Sequence, residues 1–385
     1  MAYLPEDVEI RTTRTEEGAG ASGARGVMSQ EIKGSDRARR LAPAGLIFAA
    51  AGLLLFGYVV WQAGVEKIWA ELQKLGVGFA AILALSGLRF VVRSYAWTLC
   101  FETPHRLRLR HALRAFMTGD AIGNVIPLGL VVSEPTKVLL VRERVPVVAA
   151  MSAITVENIF YSLSVVLFVF GGAAAMLLSF PLTRALRWTS VGIIVGAAVV
   201  FTVGFYVVRT EWRILSGLAE RLASRGVGRR ALGSRRETLR ALEDRVYGFY
   251  GRNRRMFLPL LLLEASFHAL GVAEAYVTLW FISAEPPTVL AAFVLESVNR
   301  VINVVFKFVP LRVGIDEAGT GLFTKVLRFG VSTGVTLAIV RKARMLVWTA
   351  VGLAFLVGRG LSVRGVVRDA EQTLAETRLR MKAEG

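Results

Sequence analysis

Long apolar runs without charge constrain the fold of this chain most strongly. Residues 46–61 and 191–208 approach the roughly 20 consecutive apolar residues that a helix needs to cross a bilayer. Hydrophobic residues make up 54% of the 385, and the mean hydropathy is +0.53, which is too apolar for a soluble protein of this length. The runs lack the period-two alternation of barrel strands. The sequence therefore predicts an all-α polytopic membrane protein.

Six full spans are predicted, at residues 41–61, 75–101, 147–178, 186–208, 256–282 and 331–357. Residues 1–40 are polar and contain glycine and serine, so we expect a disordered cytoplasmic tail rather than a cleaved signal peptide. Residues 62–74 carry balanced charge and are predicted to form an external loop. This organisation gives one transmembrane domain over residues 41–357, followed by a basic tail at 358–385.

Basic residues cluster in the segments 105–114, 209–255 and 358–385. Because basic loops of membrane proteins stay on the cytoplasmic side, we expect the inner cell membrane, with both termini in the cytoplasm. Residues 209–255 have leucines at helical spacing and are predicted to lie on the inner leaflet as an amphipathic insertion. The net charge of +18 comes without a nucleic-acid recognition motif, so the expected partners are membrane lipids and not nucleic acid.

One apolar segment, residues 126–137, is broken by proline and charge. Pro127 and Pro135 do not fit one unbroken helix, because each removes a backbone hydrogen bond. Glu134 and Lys137 are costly in hydrocarbon unless they face protein, water or a polar ligand. The apolar stretch around it, residues 115–132, is flanked by the basic segments 105–114 and 137–144. We therefore expect a re-entrant hairpin that enters and leaves at the cytoplasmic face.

A second segment, residues 309–318, repeats this pattern. In both segments Pro-Leu is followed by a glutamate seven residues after the proline, Glu134 in the first and Glu317 in the second. The second segment belongs to a hairpin predicted over residues 288–330 that enters from outside. Each hairpin lies between two spans, which predicts an inverted-topology repeat, as in many secondary transporters. We expect Glu134 and Glu317 to line one central, water-accessible cavity.

Charged and polar side chains inside the spans and hairpins are the candidate substrate-binding residues. For each of these residues, a purely structural role is the alternative to substrate binding. Arg89 and Arg93 share a helix face and would hold phosphate, or would reach back to the cytoplasmic interface. Glu134 and Lys137 would gate the substrate, or would only pair with each other. The complete set is Arg89, Arg93, Glu134, Lys137, Glu157, Asn299, Arg300, Lys307, Arg312, Asp316, Glu317, Arg341 and Arg344.

The second half of the chain leaves similar choices open. Glu296 and Arg300 would form an internal pair or part of a polar groove. The cluster Arg341, Lys342 and Arg344 needs anions, either Asp316 and Glu317 or a lipid phosphate. Glu317, with Asp316 and Arg312, would otherwise form an external rim. The fifth span holds Glu264, His268 and Glu274, and a structural hydrogen bond between helices is favoured there over a proton relay.

The sequence shows no catalytic constellation. It contains no P-loop, H-E-x-x-H, G-x-S-x-G or dinucleotide fingerprint. We therefore predict no catalytic residues, no bound metal and no cofactor. The single cysteine, Cys100, excludes an intrachain disulfide and a cysteine-based zinc cluster, and it is predicted to be a packing residue.

The segment from Pro127 to Lys137 resembles the Pro…Gly-Glu-x-x-Arg segment of the lysylphosphatidylglycerol synthase transmembrane region, also called the flippase-like domain family. Residues 310–317, Gly330 and the cluster at 341–344 resemble the second signature of that family. Glu157 falls where the family often shows Glu-Arg. The resemblance spans residues 41–357. The chain departs from it at three positions, where Ser133, Lys137 and Asn158 replace Gly, Arg and Arg, and these departures leave the substrate headgroup open.

The resemblance implies translocation of a phospholipid or a polyprenyl-linked glycolipid, without the aminoacyl transfer for which the chain has no room. Two other functions stay open. One is a membrane-embedded, lipid-modifying enzyme of glycosyltransferase type, with Asp120 or Glu134 as acid or base. The other is a non-catalytic membrane partner of a lipid synthase. A homo-oligomer is compatible with each of them.

Overall fold

The computed structural model describes residues 58, 61, 65–125, 129–209, 248–249, 251–306 and 312–358. All regular structure within these ranges is helical, which confirms the predicted all-α class. The ten helices are α1 (Val65–Leu75), α2 (Gly78–Leu99), α3 (Leu109–Val125), α4 (Gly129–Leu139), α5 (Val147–Ser179), α6 (Arg184–Arg209), α7 (Arg254–Ile282), α8 (Val289–Val305), α9 (Ile315–Val326) and α10 (Val331–Val357). The predicted tail 1–40 lies outside the described residues, and so do nearly all of the predicted span 41–61, the insertion 209–255 and the tail 358–385.

Four helices, α2, α5, α6 and α7, are long and apolar enough to cross a membrane. Large apolar side chains on their outer faces are exposed, among them Leu167 of α5, Val199 of α6 and Leu262 of α7. An outward apolar surface is what a helix in contact with lipid requires. Helix α10 has the predicted bounds 331–357, but three cations at 341–344 set its composition apart from that of these four helices.

The structure corrects one predicted loop and refines both predicted hairpins. Residues 65–75 form helix α1 rather than a loop, and the Glu71 carboxylate accepts hydrogen bonds from the hydroxyls of Thr333 and Thr336 on α10. The first predicted hairpin consists of α3 packed against α4, and the second consists of α8 packed against α9. Pro135 lies inside α4, whereas residues 126–128 and 307–311 are not described. Re-entrance from opposite sides stays a prediction.

The helix contacts follow a repeating pattern. If α2–α5 are matched with α7–α10, the packing of α3 on α10 corresponds to the packing of α8 on α5. Likewise, the α2–α3 contact corresponds to the α7–α8 contact, and α2 packs directly on its counterpart α7. The short helices α3 and α8 therefore each contact the long helix of the opposite set.

Glycine residues allow a close approach in two of these contacts, α5 with α8 and α3 with α10, which we call the crossed contacts. A Cβ atom added to Gly172 of α5 would lie 2.1 Å from Ser297 Oγ of α8. One added to Gly352 of α10 would lie 2.4 Å from the carbonyl oxygen of Met117 on α3. Small residues bring helix backbones together in membranes, where van der Waals packing must replace the hydrophobic effect.

Helices α2 and α7 run antiparallel and join two apolar cores. One core contains Trp97 of α2 and Leu260 of α7, and the other contains Ile82 of α2 and Leu279 of α7. The end of one helix therefore meets the beginning of the other. Cys100 is 2% exposed within the first core, as expected of a packing residue. The residues of α2 and α7 between the two cores carry most of their charge, and this region contains the candidate site.

Candidate functional site

Charged side chains from five helices meet between the two apolar cores, and we call this group the polar layer. Arg89 lies near the middle of α2, about 15 Å from either end of the helix, and it is only 8% exposed. The alternative in which Arg89 reaches the cytoplasmic interface is therefore wrong. The members of the polar layer are Arg89 and Arg93 of α2, Glu157 of α5, Glu274 of α7, Glu296 and Arg300 of α8, and Arg341 and Arg344 of α10.

Glu274 binds two arginines from different helices. Its Oε2 atom accepts hydrogen bonds from Arg89 Nη1 at 3.1 Å and from Arg344 Nη1 at 2.5 Å. The residue is 4% exposed, so these charge-assisted bonds lie out of water, where they are strong. Glu274 thus ties α2 and α10 to α7.

Glu296 is the second hub of the polar layer. It accepts hydrogen bonds from Arg300 Nη2 at 2.8 Å and from Arg341 Nη2 at 3.0 Å, and Arg89 Nη2 lies 3.7 Å away. Asn299 donates a further bond at 3.3 Å. The internal Glu296–Arg300 pair is therefore confirmed, but it is one part of a larger network.

The two hubs leave positive charge in excess. Four arginines, Arg89, Arg300, Arg341 and Arg344, share the carboxylates of Glu274 and Glu296, so two positive charges stay uncompensated among these six side chains. Each of the four arginines also has one buried nitrogen without a hydrogen-bond acceptor. Buried charge without a partner is costly. The network is therefore suited to bind an anion.

A cavity of about 170 Å³ lies between α2, α3 and α10, next to this excess charge. Arg89, Arg93 and Arg344 line it, together with Asp120 and Asn124. Its other walls are mostly apolar and include Phe90, Met345 and Trp348. Sites for drug-sized ligands begin at about 300 Å³, so this cavity fits a small anionic group rather than a whole lipid. We call it the arginine cavity.

Arg93 reaches the arginine cavity from a separate ion pair. Its Nε and Nη2 atoms donate to the two carboxylate oxygens of Glu157 at 2.8 and 2.9 Å, and its guanidinium lies 3.9 Å from the centre of the Tyr161 ring. Asn158, at the position where the resembled family often has arginine, accepts from Arg93 Nη2 at 3.4 Å. The carboxylate and the ring together fix the arginine, because a guanidinium binds both planar groups well.

Near the arginine cavity, Lys137 is bound by the carboxylates of Asp120 and Glu134. Its Nζ atom lies 2.8 Å from Asp120 and 3.0 Å from Glu134, and the residue is 1% exposed. Glu134 and Lys137 therefore pair with each other, which is the simpler of the two arrangements predicted for them. Asp120 reaches the cavity, whereas Glu134 and Lys137 are not among its lining residues.

The second glutamate of the repeated pattern has a different environment. Glu317 is fully buried, accepts a hydrogen bond from the Gly314 backbone N–H at 2.7 Å and pairs with Lys342 of α10. Asp316 lies 3.4 Å from Arg312 and 3.5 Å from Lys342. Glu317 is therefore not part of an external rim. Neither Glu134 nor Glu317 lines the arginine cavity, so the expectation that both line one central cavity is wrong for that cavity.

The three cations of α10 divide between two groups of anions. Lys342 binds Asp316 and Glu317, as one alternative expected, whereas Arg341 and Arg344 bind Glu296 and Glu274. Lys307 lies outside the described residues. No three His, Cys, Asp or Glu side chains in the described ranges converge to hold a metal ion.

Glu274 is not among the site residues predicted from the sequence, although it binds two arginines. The only signal was a carboxylate near the middle of an apolar span. Its partner Arg89 is 185 residues away in the sequence, so no local spacing connects the two. The same holds for Glu296 and Arg341, which are 45 residues apart and on different helices.

An apolar groove of about 710 Å³ lies on the other side of α7, between α5, α7 and α8. Phe168 and Phe293 line it, together with His268 and Tyr276. His268 Nε2 lies 3.0 Å from Ser164 Oγ of α5, which confirms the expected hydrogen bond between helices. Under the matching of α2–α5 with α7–α10, this groove corresponds to the arginine cavity, because α7, α8 and α5 correspond to α2, α3 and α10.

Comparison with known proteins agrees with the resemblance noted above. A family described as "Lysylphosphatidylglycerol synthase TM region" matches residues 44–358, which is well over half of the chain and contains all ten helices. No curated protein and no solved structure matches the chain at the significance threshold applied. The chain therefore belongs to the family of the lysylphosphatidylglycerol synthase transmembrane region.

Proposed function

We propose that the protein is a lipid transporter that moves a phosphate-bearing headgroup across the bilayer. The observation that carries this proposal is the excess of two positive charges in the polar layer, beside a cavity lined by Arg89, Arg93 and Arg344. An anion in the cavity would compensate this charge. Phosphate fits best, because a guanidinium can bind two of its oxygens at once. Phospholipids and polyprenyl-linked glycolipids both offer that group.

The size and walls of the arginine cavity support transport of the headgroup while the tails stay in the bilayer. About 170 Å³ does not hold acyl chains. Phe90, Met345 and Trp348 give the cavity an apolar side, which suits the glycerol backbone or the first carbons of a prenyl chain. The anionic headgroup would then leave water and still be paired with the positively charged arginines of the cavity.

The repeated helix contacts support alternating access. The arginine cavity and the apolar groove occupy corresponding positions in the two sets of helices, which is the relation between the two half-pathways of inverted-repeat transporters. On this proposal α3–α4 and α8–α9 are re-entrant hairpins that open the pathway toward opposite leaflets. The protein would lie in the inner membrane, with both termini cytoplasmic.

Lipid modification finds less support. The carboxylates of Asp120 and Glu134, which would supply an acid or a base, both bind Lys137. Each of these carboxylates is therefore already engaged by an ammonium group. Transport requires no catalytic acid or base, and the arginines would bind the headgroup directly.

Reconstitution of the purified chain tests the proposal. Liposomes would carry fluorescent phosphatidylglycerol, and an impermeant reductant would report how much label reaches the outer leaflet. We expect faster movement than in empty liposomes, with chemically unchanged lipid on chromatography. A neutral glucosyl diacylglycerol, which lacks phosphate, should move no faster than in empty liposomes. Equal rates for phosphatidylglycerol with and without protein, or a new lipid product, would overturn the proposal.

A further inference from the structure

Glu264 of α7 is a buried carboxyl group outside the ion pairs of the polar layer. The residue is 1% exposed, and within the described part of the chain neither of its carboxyl oxygens has a hydrogen-bond partner. It lies three residues before Phe267, which lines the arginine cavity. Glu264 and the cavity are therefore less than one helical turn apart along α7.

The groups that face Glu264 come from two helices. Arg93 of α2 and Glu157 of α5 interact with it electrostatically, and so does the Cys100 thiol that follows α2. His268 lies one turn further along α7 and binds Ser164. Among the described side chains, the other charged groups on the helices around α7 either are exposed, as Glu66 and Lys74 of α1 are, or bind elsewhere. Those that bind elsewhere are Glu71 of α1, Arg89 of α2, Glu296 and Arg300 of α8, and Arg341, Lys342 and Arg344 of α10.

Among the described residues, Arg93 is the cation that interacts with Glu264 electrostatically, and its hydrogen bonds go to Glu157 and Asn158. Both Nε and Nη2 of Arg93 bind the Glu157 carboxylate. An ionised Glu264 would be a buried anion without a donor, which is strongly unfavourable. The arrangement therefore fits the neutral carboxylic acid, that is, a Glu264 that has bound a proton.

We propose that Glu264 is a proton-binding site, and that a proton bound there raises the affinity of the arginine cavity for an anionic headgroup. With Glu264 neutral, the charges of Arg93 and Glu157 balance. Loss of the proton adds a negative charge that Arg93 must then share between two carboxylates. The cavity becomes less positive, so an anion binds more weakly.

This inference rests on the proposed function of the cavity, and it adds an energy source to it. Coupling between two ligands is reciprocal, so a headgroup that binds more tightly to the protonated protein must also promote proton uptake. Proton and anionic headgroup would therefore move in the same direction. The proton balance is simple: Glu264 takes one proton from water when the headgroup enters and returns it to water when the headgroup leaves.

The test measures binding of phosphatidylglycerol to the full chain in detergent, between about pH 6 and about pH 9. The phosphodiester keeps one negative charge throughout this range. For the wild type we expect affinity to fall as the pH rises, by about fivefold or more, a typical coupling between two sites. Glu264→Gln copies the neutral acid and should keep the low-pH affinity at every pH. Glu264→Asp, which can still ionise, should retain the dependence.

Proton uptake by the wild type gives a second measurement, independent of whether the variants fold. In weakly buffered solution with a pH indicator, we expect phosphatidylglycerol to cause uptake of protons, and Glu264→Gln to abolish it. Binding without uptake and without pH dependence would overturn the role of Glu264 but leave the cavity intact. A dependence that survives Glu264→Gln would also overturn it and would point to His268. Failure of the wild type to bind any anionic lipid would instead reject the cavity, and the inference with it.

Discussion

Arg89 Nη1 lies 3.1 Å from Glu274 Oε2, and this contact joins the middle of α2 to α7. These two helices begin the two matched sets, so the halves of the protein meet through charge and not only through apolar packing. The same carboxylate also binds Arg344 of α10. A headgroup that draws either arginine away from Glu274 would therefore change the contact between the halves, which gives substrate binding a direct route to a conformational change.

Glu274 should matter more for stability than the arginines that it binds. Glu274→Gln leaves Arg89 and Arg344 buried without their carboxylate, and removal of one partner from a buried ion pair costs about 3–5 kcal/mol. Arg344→Gln leaves Glu274 still paired with Arg89, so we expect a much smaller loss. Thermal unfolding in detergent compares the two, with exposed Arg187→Gln as the surface control. Equal destabilisation by Glu274→Gln and Arg344→Gln would contradict the shared-carboxylate arrangement.

The crossed contact of α5 with α8 should be sensitive to a single methyl group. Gly172→Ala would place its Cβ 2.1 Å from Ser297 Oγ, and such overpacking typically costs about 1–3 kcal/mol. Gly192 of α6 has open space around it, so Gly192→Ala should be neutral or stabilise by up to about 1 kcal/mol. Because the clash is with the Ser297 side chain, adding Ser297→Gly to Gly172→Ala should recover part of the loss. A tolerated Gly172→Ala would show that the two helices lie further apart.

The two glutamates of the repeated pattern should respond differently to loss of charge. Glu317 is fully buried, caps the start of α9 and binds Lys342, so Glu317→Gln should cost about 3 kcal/mol or more. The Glu134 side chain is 29% exposed, and Lys137 keeps Asp120 as a partner, so Glu134→Gln should cost less than about 1 kcal/mol. Denaturation midpoints of the two variants decide this. The same loss at both positions would restore the equivalence that the sequence pattern indicated.

Impermeant thiol labelling in intact cells tests the orientation of the helices. In a Cys100→Ala background, a cysteine at exposed Glu285, in the loop that follows α7, should react from outside. A cysteine at exposed Arg106, in the basic loop that follows α2, should react only after the cells are opened. The expectation follows from the excess of basic residues on the cytoplasmic side. Labelling of both sites in intact cells, or of Arg106→Cys alone, would reject the topology.

The sequence predicted the long elements of the fold well, because their signal is local. The long, mostly apolar stretch after Pro146 marks α5 to within one residue at its end, and the bounds of α10 agree with those predicted. Residues 65–75 were predicted as a loop because they are short and polar on average. Their helical form depends on a contact between Glu71 and the hydroxyls of α10, which local pattern does not contain.

The site could be predicted only in part, for the same reason. Arg89, Arg93 and Arg344 were recognised because a cation within an apolar helix is costly wherever it lies. Their partners come from other helices, and Glu274 was missed because nothing near it in the sequence is positively charged. The Pro-Leu-x5-Glu pattern indicated equivalent roles for Glu134 and Glu317. The structure separates them, since one pairs within its own helix and the other pairs with Lys342 of α10.

The charge of the arginine cavity is the central claim, and Arg344 tests it most directly. Arg344 lines the cavity, whereas Arg187 is exposed on α6, so Arg344→Gln and Arg187→Gln remove the same charge from different surroundings. The measurement is the rate of fluorescent phosphatidylglycerol movement in proteoliposomes that contain equal amounts of folded protein. We predict that Arg344→Gln slows movement at least about tenfold, since a buried charge-assisted hydrogen bond contributes about 1.5–3 kcal/mol, while Arg187→Gln keeps the wild-type rate. Wild-type movement by folded Arg344→Gln would contradict the claim.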